Sequence, residues 1–521
     1  MKNASKLLVG AVLALGSMAA QAQKPYSCGT CPALADRPEV LLSTLADANG
    51  NLTGDHTLLT CDKLYILDKK IYVGNGDTLT ILPGTVVKAT AQTGLTSSAL
   101  IVTRGGKIFA EGSECSPIIF TSVSDPLDGT YSFTNKETWG GIIILGKAHN
   151  TVAAGELNPE NPNYVIGGTT YGIAAIEGVA PTDPRNWYGA ANGAFVNDDN
   201  SGSLCYVSIR HGGTVIGTAN EINGLTLGSV GSKTKLRFIE VISNGDDGIE
   251  FFGGTVDLKY ARIMSCQDDY LDWDQGYTGR IQHVLGVQMP AGISGATGEA
   301  ALGYGDNGLE ADGDDGTAYA RAWLSNPLVS NVTILGNDAD NATGDVALEL
   351  KERDASEIYN SIFANFHTGI KRSGTPLPTS VVKNCTFVSM TVNQSPATPA
   401  EDASNTFAAT LGGFDPTFQI GMNNAVAAND YYDVKPSSGG NVFPITDTWF
   451  DAVTHRGAVN PSSAMWWNMS ECTAAIKGIA NASAPVTETA NNASKVNLPD
   501  LNGDGVVNGA DFNILVAYIG Q

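Results

Sequence analysis

Residues 243–251 read SNGDDGIEF, and residues 265–273 read SCQDDYLDW. The aspartate pairs Asp246-Asp247 and Asp268-Asp269 are 22 residues apart. Each pair precedes a short run in which apolar and acidic residues alternate: Ile249, Glu250, Phe251, then Leu271, Asp272, Trp273. Alternation of this kind is the period of a β-strand. The same line appears as NGLTL (223–227), NGLEA (307–311) and TGIKR (368–372). A second line precedes it as YVSIRHGG (206–213), FIEVISNGDDG (238–248) and YARIMSCQDDY (260–270). Weaker copies are NVTILGND (331–338), YNSIFANF (359–366) and NCTFVSM (384–390). A repeat of about 22 residues built from short strands is one turn of a parallel β-helix. The gaps 273–307 and 311–368 hold longer loops or turns whose register the sequence does not show.

The same plan extends upstream. TLTILPGTVVKA (78–89), ALIVTRGGKIFAEG (99–112), SPIIFTS (116–122) and WGGIIILG (139–146) read as strand–turn–strand pieces with Gly at the corners. Sixty glycines and only 16% charged residues argue against a helical protein. The stretch 124–200 is rich in Pro, Asn and Gly and reads as a long excursion from the coil. Because an open β-helix end is an exposed sheet edge, residues 23–64 are expected to form an N-terminal cap. Residues 65–477 are assigned to the β-helix and a C-terminal cap, the latter carrying Trp449, Phe450, Trp466 and Trp467.

Residues 1–22 have the form of a secretory signal: Lys2 and Lys6, a short apolar run, then Ala20-Gln21-Ala22. The expected location is extracellular or cell-surface associated, with no transmembrane segment. The net charge of −23 disfavours nucleic acid as a partner and supplies carboxylates for hard cations. Eight cysteines in an exported chain suit disulfides, although the pairing is not readable. Cys28-Gly-Thr-Cys31 has redox or zinc spacing, but with no βαβ pattern around it a structural disulfide near the N-terminal cap is the preferred reading.

Beyond 478 the composition changes. Residues 478–495 form an Ala-, Asn-, Ser- and Thr-rich linker. Residues 496–521 contain DLNGDGVVNGAD (500–511). This spacing places oxygens of Asp500, Asn502, Asp504, the Val506 carbonyl, Asn508 and Asp511 at the ligand positions of a twelve-residue Ca²⁺ loop, with Gly505 at the sharp turn. Phe512, Leu515, Val516 and Ile519 then recur at helical spacing.

The acids of the repeat admit three readings. They are corner residues, since Asn and Asp bond local backbone and Gly accepts positive φ. They bind calcium, since like charges in adjacent turns need neutralising. Or they are catalytic, with Asp246, Asp247, Asp268, Asp269, Asp272 and Glu250 as the acidic site of a polysaccharide lyase or glycoside hydrolase. Stacking in register predicts an outward column of Thr226, Glu250, Asp272, Glu310 and Lys371. Arg210, His211, Arg262, Arg280 and His283 lie within a few turns as candidate bases, although alternation makes Arg262 a surface residue by default.

The runs WGGIIILGKA (139–148), IEG (176–178), NDDNSG (197–202), NGLTLGSVG (223–231), GDDGIEFFGGTVD (245–257), DDYLDWDQGYTGRIQ (268–282) and WFDAVTHRGAVNP (449–461) together resemble a family of secreted bacterial proteins with no assigned reaction. The resemblance spans about 65–470. It implies an all-β, right-handed parallel β-helix, and no particular chemistry. The tail resembles one half of a dockerin, a calcium module that docks polysaccharide-degrading enzymes onto scaffold proteins; no second half is present in the sequence. The expectation is a calcium-binding extracellular or cell-surface protein that binds glycans or has a structural role, with a polysaccharide lyase or hydrolase as the alternative. Its partners would be a polysaccharide or surface protein on the β-helix face and a protein docked at the tail.

Overall fold

The computed structural model describes residues 31–459 apart from 93, 114–115, 128–130, 132–133, 153–163, 167–168, 191–193, 215–221, 289–305, 314–323, 337–344, 376 and 411–440, together with the backbone of Val486–Thr487 and Val506–Val507. One parallel sheet carries the acidic repeat. Its strands are β1 (Lys70–Val73), β2 (Ala99–Val102), β3 (Ile142–Leu145), β4 (Leu225–Gly228), β5 (Ile249–Phe252), β6 (Leu271–Asp274), β7 (Asn307–Asp312), β8 (Val346–Lys351), β9 (Thr368–Arg372) and β10 (Val392–Ser395). Each pairs in parallel with the next, so one coil lies on the coil before it. Parallel strands joined by crossovers in one sheet take the right-handed sense, and the coil is a right-handed parallel β-helix. Among the described residues there is no α-helix.

Alternation sorts the side chains. Ile249, Phe251, Leu271 and Trp273 are fully buried in the coil interior, while Glu250 and Asp272 point outward in register with one another. Inside, the Trp273 indole N–H donates to Ser356 Oγ at 3.0 Å and to Asp354 Oδ1 at 3.3 Å, so the large aromatic leaves no orphan donor.

The other faces form a second parallel sheet. Early coils give it two short strands each, such as Thr78–Ile81 and Val86–Ala89. In the middle coils these fuse into single bent strands: Gly202–Arg210, Lys235–Ile242, Asp257–Met264, Arg280–Val287 and Leu328–Leu335. Each bends at one residue with positive φ: Tyr206 (52°), Phe238 (54°), Tyr260 (63°), His283 (60°) and Asn331 (57°). The left-handed region is strained for residues with bulky side chains. Ring stacking opposes that strain, with centroids 4.4 Å (Tyr206–Phe238), 4.8 Å (Phe238–Tyr260) and 4.8 Å (Tyr260–His283) apart.

Several expectations are corrected. Parallel pairing begins at Glu39–Leu41, beside Leu64–Leu67, and so earlier than residue 65. The gap 311–368 holds a whole coil, formed by Leu328–Leu335 and β8. Cys31 bonds to Cys61, which ties the cap to the first coil; Cys28 lies outside the described residues. Arg262 is 1% exposed and pairs with buried Glu240 instead of facing solvent, because side chains outside the coil on this face are themselves covered. Residues 441–459 run along the corner column as a strap. The Asn360 side-chain amide bonds both the N–H and the carbonyl of Phe443, and Asn331 donates to the His455 and Gly457 carbonyls. Asp451 accepts from Lys259 and the Tyr260 hydroxyl. The signal segment 1–22, Trp466, Trp467 and most of the tail loop lie outside the described residues.

The excursion after β3 has a defined role. Its hairpin of Ile173–Ala175 and Trp187–Gly189 joins Tyr72, Ile101, Ile143, Leu145 and Phe252 in an apolar cluster of its own. It covers the apolar outer face of β2 and β3, and beyond it the face turns acidic.

Candidate cation site on the acidic sheet

Two ranks of acids run along the sheet. The first is the corner rank. The Asn223 Oδ1 accepts the Asp247 N–H at 3.2 Å, Asp247 Oδ1 accepts the Asp269 N–H at 2.8 Å, and Asp269 Oδ1 accepts the Asn307 N–H at 2.7 Å. Asp306 and Asp345 repeat the pattern one and two coils on, at the Asp345 and His367 N–H groups. Each corner side chain thus bonds a backbone donor one coil above, and the Asp345 N–H also reaches the Asp306 carbonyl at 2.9 Å. The corner reading of the aspartate pairs therefore has a geometric basis for Asp247 and Asp269, which are buried. Asp246 is half-buried and Asp268 exposed.

The second rank stands on the strands. Pairing places Thr226, Glu250, Asp272, Glu310, Glu349 and Lys371 in one outward line. The carboxylates of Asp247, Glu250 and Asp272 offer oxygens within 4.8 Å of one another, and so do those of Asp246, Asp247 and Asp268. Asn223 donates its amide to Glu250. Two buried oxygens at this place have no hydrogen-bond partner: Asp272 Oδ1 and the hydroxyl of Thr226, a residue only 2% exposed and in register with Glu250.

The electrostatics match the geometry. Burial, followed by the charges of Asp246, Asp272 and Asp268, holds Asp247 well above the usual carboxylate range. Burial and then Glu177 and Asp272 do the same to Glu250; burial and then Glu310 raise Asp269 and also Asp272. Asp312 is pushed up to about 7, mainly by burial, against the pull of Lys351. Farther along the face the sign changes. Lys351 sits on Glu310 and lies 3.8 Å from Asp312, and Lys371 lies 2.7 Å from Glu349. Burial lowers the Lys351 amine, but Glu310 and Asp312 outweigh it and its pKa rises. The donor set is wholly oxygen, partly buried and short of counter-charge at the Glu250 end. Such a set fits a hard divalent cation, calcium above all, and not zinc or copper.

The structure brings Asp247, Glu250 and Asp272 together as one group and Asp246 and Asp268 beside it. None of the five candidate bases stands on the acidic sheet. Arg210 and Arg262 pair with Glu240, Arg280 with Asp257 and Asp447, and His283 with Asp451. His211 lies 2.5 Å from the Asn135 carbonyl, and burial lowers its pKa to about 4. Sequence reading missed Glu349, Lys351 and Glu177. The first two follow Asp345 in an alternating VALELK run whose corner lacks the Asp-Gly or Asn-Gly signal. Glu177 comes from the excursion, and sequence spacing gives no hint that its charge acts on Glu250.

Residues 50–431 match a family model described as a pectate-lyase-like β-helix domain. No curated protein matches the chain. Among solved structures the chain is similar to pectate lyase Pel9A, at 11% identity over 74% of this chain and 88% of that one, with a TM-score of 0.33. With a parallel coil of this construction and a family match across most of its length, the chain belongs to the pectate-lyase-like β-helix family.

Proposed function

We propose that this chain is a secreted, calcium-binding β-helix protein that holds an acidic polysaccharide against its acidic sheet, outside the cell or at its surface. The observation that carries the reading is the group Asp247, Glu250 and Asp272, with the buried Thr226 hydroxyl and Asp272 Oδ1 left without partners. A divalent cation there would satisfy these oxygens and leave coordination positions open toward solvent. A polymer carboxylate would bind that cation, and Lys351 and Lys371 would meet further carboxylates a few coils along. Family membership supports a polysaccharide as the ligand class.

Lyase chemistry is the second reading, favoured by Lys351 on the same face as the acids. A base there would take the proton beside a cation-neutralised carboxylate. Its ion pairs with Glu310 and Asp312 hold the amine protonated, which places binding ahead of catalysis.

The tail extends the proposal. Asp500, Asn502, Asp504, the Val506 carbonyl, Asn508 and Asp511 are assigned a second calcium, and residues 496–521 a docking role on a partner protein, joined by the 478–495 linker. The test is to load the purified chain onto acidic and neutral polysaccharides with and without EGTA. Retention on acidic polymers alone, lost in EGTA and reduced at least tenfold in Asp272→Asn, is expected. Unsaturated or reducing ends that form with wild type and vanish in Asp268→Ala and Asp269→Ala would replace binding with catalysis. Retention unaffected by EGTA would refute the cation.

A further inference from the structure

A cavity of about 280 Å³ opens at the rim of the acidic sheet, between the segments that follow β9 and β10. Residues 377–383 form one wall and residues 399–402 the other. Both walls are fixed by hydrogen bonds. The Asp354 carbonyl accepts the Thr379 N–H at 2.8 Å and the Ser380 hydroxyl at 3.1 Å, and the Asp354 carboxylate accepts that hydroxyl at 2.5 Å. Across the cavity, the Gln394 amide donates to the Pro396 and Pro399 carbonyls at 3.1 and 3.0 Å, and its Oε1 accepts the Glu401 N–H at 3.1 Å. Arg372 joins β9 to this second wall, its Nε and Nη2 donating to Glu401 at 2.6 and 3.0 Å. The cavity is thus formed before any ligand enters, as most ligand sites are.

The charges of the lining cancel. Arg372 pairs with Glu401, and Lys383 lies 3.7 Å from Asp402. A lining without net charge does not select a charged ligand, yet it keeps hydrogen-bonding capacity. A guanidinium carries five N–H groups and a carboxylate has about four acceptor positions, and the Arg372–Glu401 pair uses two of each. Donors and acceptors left side by side suit adjacent hydroxyls, which donate and accept at once. Leu377, Val382 and Pro399 supply an apolar wall, Leu377 being 37% exposed. Hydroxyls along an edge and C–H groups on a face are the chemistry of a neutral sugar ring. The volume lies at the small end of ligand sites, which run upward from about 300 Å³, and suits one ring.

We infer that this cavity binds a single neutral sugar residue, its hydroxyls on the Arg372–Glu401 and Lys383–Asp402 pairs and its apolar face on Leu377 and Pro399. The preference is opposite to that of the acidic sheet, and it needs no cation. Arg372 directly follows Lys371 of the outward line, and β9 stands three strands beyond β6, the strand of Asp272. That separation is about 14 Å at the usual strand spacing, so one polysaccharide with acidic and neutral residues can span both.

The experiment titrates the full chain, in EGTA, with glucose, galactose, mannose, xylose, glucuronate and galacturonate by saturation-transfer NMR and calorimetry. At least one neutral sugar is expected to bind, and its uronate at least tenfold more weakly. Ala400→Trp and Thr379→Trp place bulk in the cavity from opposite walls at exposed positions. Each is expected to abolish sugar binding while melting as wild type does and keeping calcium-dependent retention on acidic polymers. Failure of every neutral sugar to bind, or undiminished binding in whichever tryptophan variant melts normally, would overturn the inference. Equal binding of uronates would overturn the charge argument behind it. Because EGTA removes the cation from every titration, none of these results depends on the cation site, and loss of retention on acidic polymers alone would leave the sugar site standing.

Discussion

At the scale of single residues, burial, together with the charges of their neighbours, raises the pKa values of the most enclosed acids of this face. Asp247, Glu250, Asp269 and Asp272 all have pKa values raised well above the usual range, and Asp312 titrates near 7. In the unfolded chain the same groups titrate near 4. Between those values the folded state keeps protons that the unfolded state has released, so stability is fullest below about 4 and is lost as pH rises through the folded values. For Asp312 the loss runs from about pH 4 to about pH 7, at about 1.4 kcal/mol for each pH unit crossed. In EGTA the protein is therefore expected to melt higher at pH 5 than at pH 7.5. Calcium should reverse the order, because the ionised carboxylates bind it and the protonated ones do not. Scanning calorimetry at the two pH values with and without chelator checks this, and equal melting in EGTA would show that these carboxyls ionise freely. Asn223 belongs to the same scale. Its carbonyl caps the Asp247 N–H and its amide reaches Glu250, so one neutral residue joins the corner rank to the strand rank.

At the scale of elements, the bent strands depend on a single corner residue in each coil. Phe238 is the middle of the stack, with rings on both sides at 4.4 and 4.8 Å. Its backbone is also in the left-handed region at φ 54°. The two contributions separate by substitution. Phe238→Ala loses both ring contacts and should cost about 2–4 kcal/mol. Phe238→Asn loses the same rings but tolerates positive φ better, and should fall short of the alanine loss by about 1 kcal/mol. Denaturant unfolding of the two variants measures the difference, and equal losses would show that corner strain is not a factor. Farther along, Asn331 and Asn360 take over the corner and turn their amides to the strap, so the column changes from ring stacking to hydrogen bonding where residues 441–459 cross it. The strap's Asp451 is held well below the usual carboxylate range, first by His283 and then by Tyr260 and Lys259. The charged residues of the WFDAVTHRGAV run are thus used to pin this segment.

At the scale of the whole molecule, the coil is quasi-one-dimensional, and its ends are where strand edges are open. At the start, the Cys31–Cys61 disulfide closes a separation of 30 residues between the cap and the first coil. Chain-entropy arguments put its contribution at about 3–4 kcal/mol. Cys31→Ser is expected to lose that amount by denaturant unfolding, with the first hydrogen-exchange losses at residues 39–67. An unchanged midpoint would mean that the cap is held by packing alone. Much of the coil was legible in the sequence. Ile249, Glu250, Phe251 and Leu271, Asp272, Trp273 alternate at a fixed spacing, and in a stacked coil that spacing decides which side faces out and which residue neighbours which. Local pattern is sufficient there because each coil touches only its neighbours. Half of the coil of β8 reads as NVTILGND, but β8 itself escapes because Asp345 precedes a VALELK run with neither a paired Asp nor a following Gly. The sequence by itself determined the repeat, the inward and outward faces, and the Thr226–Glu250–Asp272–Glu310 line. Only the tertiary structure decided that Arg262 is buried against Glu240, that residues 441–459 lie along the flank, and that the Ile173–Gly189 hairpin covers β2 and β3. The strap and hairpin contacts join segments whose separation bears no relation to the coil period, whereas Glu240 and Arg262 stand one 22-residue period apart and are buried only because that face is covered.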